Sequence, residues 1–270
     1  MVKRFVQRLA KAVGLEIHRY RPNLGALKLP MIDVFDLIIE REVANQRDWL
    51  FVQIGAHDGK SFDPIHKYVT RYHWRGVLIE PQPELFRRLK ATYASEPQLR
   101  FENVAIADKD GIVDLYCFKD DGRLPYHATM LASFNRHAVE HNMHGYRGEV
   151  IAVPTPAMTV ATLLAKHAIT HLDLLQIDTG GFDWEILAMF ARAGVWPTIV
   201  HFENWGGMDA SLEPYARPWI ERGYGFLPIA HDMLCYRQPN LTREFQDRVR
   251  NTQAECEALV DPELESAGRH

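Results

Sequence analysis

The 270-residue sequence predicts an α/β fold: a mostly parallel sheet with helices on both faces. Apolar segments of strand length alternate with amphipathic segments of helix length along most of the chain. This alternation is typical of parallel sheets with crossover helices. Two late apolar segments, Tyr224–Ile229 and Met233–Arg237, flank a short turn and predict a hairpin. The hairpin adds one antiparallel C-terminal strand to the sheet.

The composition is that of one globular domain with extensions. Hydrophobic residues make up 47% of the chain, charged residues 24%, and the formal net charge is −4 at pH 7. Because no overall positive charge is available to attract phosphates, we expect no nucleic-acid partner. The three cysteines are widely spaced and predict neither a disulfide framework nor a zinc site, so we expect a cytoplasmic setting. No sequence feature indicates an oligomeric state.

The chain divides into three parts. Residues 1–30 mix basic and apolar residues at helical spacing and end in a linker containing proline and glycine. Such a basic amphipathic helix would either make weak contact with an anionic membrane surface or pack on the domain. Residues 31–240 carry the α/β pattern, which begins with a predicted helix over Met31–Arg47. Residues 241–270 form a polar tail.

The segment Phe51–Gly59 predicts a strand that runs into a glycine turn. Gly55 and Gly59 permit positive φ and close approach of a ligand to the backbone. The next segment, Lys60–Thr70, predicts a helix whose N-terminal N–H groups point at the turn. A second apolar segment ends at Glu80, where an acidic residue commonly accepts hydrogen bonds from ribose hydroxyls.

The spacing of the turn bears on the kind of nucleoside. A dinucleotide fingerprint would place its second and third glycines at positions 57 and 60, which are His57 and Lys60 here. The turn therefore favours a ligand without a pyrophosphate, such as S-adenosylmethionine. An ordinary strand–helix turn is the alternative.

The middle of the chain predicts a helix over Glu84–Ser95 and a third strand over Leu99–Ile106. After the turn at Asp110, the alternating strand Ile112–Phe118 is expected to form a hairpin with that third strand. The segment Asp120–Gly148 is irregular, as expected for a loop over an active site or for a surface excursion.

The later strands end in polar residues. They are predicted at Val150–Pro154, His171–Asp178 and Thr198–Asn204, with helices over Val160–His167, Phe182–Ala193 and Pro214–Arg222. Because the carboxyl ends of parallel strands meet at one edge of the sheet, Glu80, Asp178, Glu203 and Asn204 predict a ligand site there.

Together these segments resemble the FkbM-type S-adenosylmethionine-dependent methyltransferases. The resemblance spans about residues 50–190 and is carried by Phe51–Gly59, Val77–Pro83, Asn103–Gly111, Ala132–Asn135, Val153–Leu164 and Leu172–Leu187. It implies a Rossmann-like class I methyltransferase fold with a seven-stranded sheet. It also implies O-methylation of a hydroxyl on a sugar, glycan or secondary metabolite.

The resemblance further implies a set of cofactor-binding residues. These are Gly55, Ala56, Asp58 and Gly59 near the methionine part, Glu80 and Pro81 near the ribose, Asn103 and Ala105 beside the adenine, and Ser133 near the site. One departure concerns the family pattern I-D-x-E-G, in which Gly180 replaces the glutamate. A catalytically weakened cofactor-binding module in a biosynthetic complex therefore stays open. A nucleotide-sugar enzyme on the same fold also stays open.

Methyl transfer requires a group that takes the acceptor's proton, and Asp178 and His201 are the candidates. A satisfied core histidine is the alternative for His201. Oxygen atoms of Asp178, Glu203 and Asn204 could hold Mg²⁺, as in the catechol-type methyltransferases that this arrangement resembles. The alternative is that they bond backbone groups or substrate directly. A small-molecule or glycan acceptor would lie against an apolar wall formed by Trp205, Met208 and Trp219 with the segment 120–148. The same composition is equally typical of an ordinary core edge.

Overall fold

The computed structural model describes residues 34–45, 48–120, 122, 124–142, 145–204, 210–229 and 231–237. The predicted basic N-terminal helix, its linker and the polar tail lie outside these residues, as do Trp205 and Met208 of the predicted acceptor wall. Helix α1 (Val34–Asn45) lies across the boundary between two compact units, and all of the described strands belong to the second unit, Val43–His270. No helix among the described residues is long and apolar enough to cross a membrane.

The described strands, in chain order, are β1 (Leu50–Ile54), β2 (Arg75–Ile79), β3 (Leu99–Glu102), β4 (Ala105–Ile106), β5 (Gly111–Phe118), β6 (Val150–Met158), β7 (Leu174–Ile177), β8 (Ile199–Glu203), β9 (Tyr224–Ile229) and β10 (Asp232–Arg237). After α1 come α2 (His66–Tyr72), α3 (Pro83–Thr92), α4 (Arg136–Glu140), α5 (Val160–Lys166), α6 (Asp183–Ala193) and α7 (Glu213–Ile220). Short 3₁₀ helices cover Tyr126–Met130 and Ala210–Leu212.

The main sheet has seven strands in the order β3-β2-β1-β7-β8-β10-β9. Strands β3, β2, β1, β7 and β8 pair in parallel, and β10 runs antiparallel to both β8 and β9. The predicted class I methyltransferase architecture is therefore confirmed. The strand order reverses between β1 and β7, and ligands of open α/β sheets bind at such a reversal.

One face of the sheet is closed by α5 and α6. Val52 and Ile54 of β1 are buried in the same apolar cluster as Leu163 of α5 and Leu187 of α6. Each fully buried side chain of this size contributes about 1.5–3 kcal/mol of hydrophobic stabilisation. This rigid layer fixes the strand ends that carry the site.

The predicted pairing of the third strand is wrong. Residues 99–106 are not one strand: β3 joins the main sheet, whereas β4 joins a second sheet of order β4-β6-β5. The break falls at Asn103, whose side-chain Nδ2 donates to the carbonyl of Glu80 at 2.8 Å. Strand β5 pairs antiparallel with β6. Asp110, interpreted as a hairpin turn, instead accepts hydrogen bonds from Thr159 and Thr162 at the start of α5.

The predicted start of the first crossover helix is also wrong. Helix α2 begins at His66 rather than beside the glycine turn. Asp58 and Asp63 accept hydrogen bonds from backbone N–H groups of the intervening segment, and Pro64 has no N–H. Phe62 in that segment has φ +60°. Six residues therefore separate the helix N-terminus from Gly59.

Candidate functional site

A cavity opens where the ends of β1, β2 and β7 meet at the strand-order reversal. Six of the predicted site residues line it: Gly55, Ala56, Glu80, Pro81, Ala105 and Asp178. The irregular segment between β5 and β6 contributes Met130, Ala132 and Phe134 to the wall. That segment therefore does cover the cavity, as one of its two sequence interpretations predicted.

Gly55 brings the three strand ends together. Its φ is +80°, and a Cβ atom there would lie 1.7 Å from the carbonyl oxygen of Asp178. The N–H groups of Gly55 and Ala56 both donate to the carbonyl of Ile79, at 3.0 and 2.9 Å. No residue with a Cβ atom fits position 55, so the glycine is required for the close approach of this turn to the residue that follows β7.

Glu80 is only 3% exposed, and its carboxylate holds the neighbouring backbone in place. Oε2 accepts from the N–H of His57 and Oε1 from the N–H of Gln82, both at 2.9 Å. Burial raises the pKa of Glu80 to about 7, against the effect of these two bonds, and the charge of Asp178 adds to the rise. Each oxygen retains a lone pair for a ribose hydroxyl.

Asp178 lines the cavity. The residue is exposed, and no described residue hydrogen-bonds its carboxylate. The protein packed around this group nevertheless raises the pKa of Asp178. The charges of Asp183, Asp232 and Asp63 raise it further. A carboxylate among like charges suits a ligand that brings a positive charge or a donated proton.

Two predicted cofactor residues organise the turn from outside the cavity lining. Asp58 accepts from the N–H of Ser61 at 2.7 Å and from the hydroxyl of Tyr126. Burial acts to raise the pKa of Asp58, but these hydrogen bonds outweigh it and hold the pKa well below its ordinary value. At Gly59 a Cβ atom would lie 2.5 Å from the side chain of Leu89 in α3. Gly59 therefore permits close packing on α3.

Asn103 and Ser133 form hydrogen bonds that hold residues of the cavity lining in place. Asn103 Nδ2 donates to the carbonyls of Glu80 and Pro81, at 2.8 and 3.0 Å, and so fixes the end of β2. Ser133 Oγ donates to the carbonyl of Gly180 at 3.1 Å. Neither side chain lies in the described lining of the cavity.

His201 does not line the cavity but contacts a residue that does. It is 5% exposed, and its Nδ1 is 2.9 Å from Oε1 of Gln176, which does line the cavity. Its Nε2 is 3.7 Å from Asp232. Of the two candidate bases, only Asp178 is placed to reach a ligand directly.

The Mg²⁺ hypothesis finds no support in the arrangement. Oδ1 of Asn204 accepts a hydrogen bond from Nε1 of Trp184 at 3.1 Å, so one predicted ligand atom is already engaged. Within the described part of the chain, no three His, Cys, Asp or Glu residues are grouped so as to hold a metal ion. Trp219 is fully buried and does not form an acceptor wall.

The sequence interpretation missed a small network over the glycine turn. His57 has φ +50° and lines the cavity. Its Nε2 is 3.0 Å from Oγ1 of Thr129, and its Nδ1 is 3.3 Å from the hydroxyl of Tyr126. Gln82 Nε2 donates to the carbonyl of Thr129 at 2.9 Å. The 3₁₀ helix Tyr126–Met130 is thereby tied to the ends of β1 and β2, and the only signal in the sequence was a histidine inside the glycine turn.

Gly180 occupies a position that disfavours a glutamate. Its φ is +63°, and a Cβ atom there would lie 3.0 Å from the carbonyl oxygen of Ala132. The start of α6 is held instead by Asp183, which is 2% exposed and accepts from Oγ1 of Thr179 at 2.9 Å. Burial raises the pKa of Asp183 to about 6. The missing glutamate is therefore not needed to form this turn.

Comparison with known proteins shows the family to which the chain belongs. Residues 53–227 match the family model described as Methyltransferase FkbM domain. No curated protein matches the sequence. Among solved structures, the methyltransferase FkbM from Methylobacillus flagellatus KT aligns with a TM-score of 0.43 at 13% identity, covering 70% of this chain and 44% of that one. The chain thus spans less than half of that relative.

Two further solved structures align with this chain over most of their own length. A putative caffeoyl-CoA O-methyltransferase from Staphylococcus aureus aligns with a TM-score of 0.39 at 12% identity, over 86% of this chain and 97% of that one. Precorrin-6y C5,15-methyltransferase from Geobacter metallireducens GS-15 aligns with a TM-score of 0.38 at 9% identity, over 78% and 91%.

Proposed function

Because the chain belongs to the FkbM methyltransferase family, we propose that it is an O-methyltransferase. Its methyl donor is S-adenosylmethionine, and its acceptor is a hydroxyl on a sugar, glycan or secondary metabolite. The observation that carries the proposal is that Asp178 and Glu80 line the same cavity. No described residue hydrogen-bonds the carboxylate of Asp178, and Glu80 stands where an acidic residue commonly binds ribose hydroxyls.

The cavity offers suitable residues to each part of this cofactor: the ribose, the adenine and the methionine part. Glu80 offers two carboxylate oxygens to the ribose, and Ala105 lies with Val104 and Ile106 in an apolar wall suited to adenine. Gly55 and Ala56 line the part of the cavity where the methionine part would lie. When bound, S-adenosylmethionine supplies an electrophilic methyl carbon and a thioether leaving group.

Asp178 then acts as the general base. With the methyl donor bound, its carboxylate would take the proton of the acceptor hydroxyl, whose oxygen is the nucleophile. A carboxylate whose pKa is raised by burial and by neighbouring charges is a better base than an exposed one. Most of the rate increase comes from holding the two reacting atoms in line, which the rigid strand ends favour.

The test is a methyl-transfer assay over a panel of hydroxyl acceptors, run on the wild type and Asp178→Asn. The substitution keeps the size of the side chain and removes the base, so turnover should fall by about 100-fold or more. Affinity for S-adenosylhomocysteine, measured by calorimetry, should change by only about threefold. His201→Asn is the matched control, because His201 lies behind the lining, and it should lose about tenfold or less. Full turnover in Asp178→Asn would remove this residue from the mechanism.

Gly180 favours a second candidate, a cofactor-binding module with weakened catalysis that serves a biosynthetic complex. The position lines the cavity and supplies no carboxylate. Tight binding of S-adenosylhomocysteine together with absent turnover across the acceptor panel would support this candidate over the first.

A further inference from the structure

Phe62 is an unusual residue at the mouth of the cavity. It is 82% exposed, more than any other large hydrophobic side chain in the described part of the chain. Its φ of +60° lies in the left-handed region, which bulky L-residues avoid. The folded protein thus accepts both backbone strain and an exposed aromatic ring at one position that lines the cavity. Such strain concentrates at ligand sites.

The neighbours of Phe62 hold it in this conformation. On one side, Ser61 donates to Asp58 through its N–H at 2.7 Å and its hydroxyl at 2.8 Å. On the other side, Asp63 Oδ1 accepts from the N–H groups of Ile65 and His66, at 2.8 and 3.1 Å. With both flanking residues fixed, the backbone that carries the ring is held at the cavity mouth before any ligand arrives. An aromatic side chain has few rotatable bonds, so a ring on a fixed backbone binds a partner with little further loss of conformational entropy.

The charge of the cavity restricts what can bind there. Its described lining includes the carboxyl groups of Asp63, Glu80 and Asp178 and no lysine or arginine. An acceptor carrying a carboxylate or phosphate near its reacting hydroxyl would find no cationic side chain there to pair with and would be repelled by those carboxyl groups that are ionised. An uncharged acceptor meets no such penalty.

We propose that Phe62 is the platform on which the acceptor stacks, and that the acceptor is an uncharged hydroxylated ring. The face of the ring lies against Phe62, and its hydroxyl is directed into the cavity towards Asp178. Sugars, which stack through their C–H faces, and phenols, which stack through their π faces, share this chemistry. The inference rests on the proposed methyl transfer, because it assigns the acceptor of that reaction.

The experiment uses the full chain saturated with S-adenosylhomocysteine. Ligand-observed saturation-transfer NMR is recorded with methyl glucoside and catechol as neutral probes. Glucuronate and protocatechuate serve as their anionic counterparts. The variant is Phe62→Ala, and the control is Ile112→Ala, which removes another exposed side chain (63% exposed) outside the cavity lining.

We expect a neutral probe to bind the wild type and Ile112→Ala alike, and to lose about fivefold or more in affinity in Phe62→Ala. The anionic counterparts should bind about tenfold more weakly than the neutral probes. If only methyl glucoside or only catechol loses affinity in Phe62→Ala, that probe identifies whether the acceptor is a sugar or a phenol. Phe62→Ala should bind S-adenosylhomocysteine normally and keep its melting temperature within about 2 °C, because the ring packs against little protein.

Several results would overturn the inference. These are equal probe binding in Phe62→Ala, anionic probes that bind as well as neutral ones, and no binding of either neutral probe to the wild type. A marked loss of stability in Phe62→Ala would show that the ring is structural, and a changed oligomeric state would show that it covers a second copy. If the wild type fails to bind S-adenosylhomocysteine, the proposed function falls and takes this inference with it. If it binds and the rings do not, only this inference falls.

Discussion

Glu80 permits a prediction in which stability and cofactor binding change in opposite directions. Burial raises the pKa of Glu80 from 4.5 to about 7. The folded state therefore binds this proton more tightly than the unfolded state, and the group's favourable contribution is fully present below about pH 4.5 and lost as the pH rises to about 7. The shift corresponds to about 3 kcal/mol of unfolding free energy.

The perturbation is Glu80→Gln, which removes the titration at position 80 and leaves one of the two backbone N–H groups, of His57 or Gln82, without its acceptor. That loss is the same at every pH, so the stability of the ligand-free variant relative to the wild type should rise by about 3 kcal/mol between about pH 4.5 and pH 8. Its affinity for S-adenosylhomocysteine should fall by about 10- to 100-fold, because a charged acceptor of ribose hydroxyls is lost. The comparison cancels the titration of Asp183, whose raised pKa does not depend on Glu80.

The measurements are urea unfolding of both proteins at a series of pH values without ligand, and calorimetric titration with S-adenosylhomocysteine at about pH 7.5. A stability difference that stays constant across the pH series would refute the assignment of a raised pKa to Glu80. Unchanged cofactor affinity in Glu80→Gln would refute its role in binding the ribose.

The remaining predictions concern the turn, the network above it and metal. Gly55→Ala should destabilise the fold by about 3 kcal/mol or more in urea unfolding, because its Cβ would lie 1.7 Å from the Asp178 carbonyl; wild-type stability would contradict the close approach. Tyr126→Phe removes the hydrogen bonds to Asp58 and His57 and should weaken S-adenosylhomocysteine binding by about three- to tenfold in calorimetry; unchanged affinity would show that the network does not hold the site. Dialysis against a chelator should leave turnover unchanged, because Asn204 is engaged by Trp184; a loss restored by Mg²⁺ would contradict this.

The order of the main elements could be predicted because each carries a local signal. The buried strands β1, β2, β7 and β8 are apolar segments whose ends are marked by glycine or acid, and the hairpin of β9 and β10 is local in sequence. Helix α6 ends at Gly194, whose φ of +73° is the conformation expected after a helix C-terminus. These features need no knowledge of distant residues.

The second sheet could not be predicted in the same way. Strand β5 pairs with β6 across the long irregular segment, and nothing in the alternating pattern of β5 specifies that partner over nearby β3. The break at Asn103 depends on the carbonyls of Glu80 and Pro81, which only the folded β2 end presents.

The candidate site divides along similar lines. The glycine turn indicates Gly55, and the gathering of strand ends at one edge of a parallel sheet indicates Glu80 and Asp178. No local pattern indicates the positive φ of Phe62 and His57 or the contact of His57 with Tyr126, which lies in a segment far along the chain. That Asp58 binds the cofactor stays a prediction, and the structure engages its carboxylate within the turn.

The central claim is that the cavity binds an adenosyl-sulfur cofactor. The most direct measurement is thermal unfolding of the full chain with S-adenosylmethionine, S-adenosylhomocysteine, NAD or a nucleotide-sugar, each in excess. A ligand at about 100 times its dissociation constant adds about 2.7 kcal/mol to the unfolding free energy, which shifts the midpoint clearly. We expect the two adenosyl-sulfur compounds alone to stabilise the protein. Stabilisation by NAD or the nucleotide-sugar instead, or by none of the four, would contradict it.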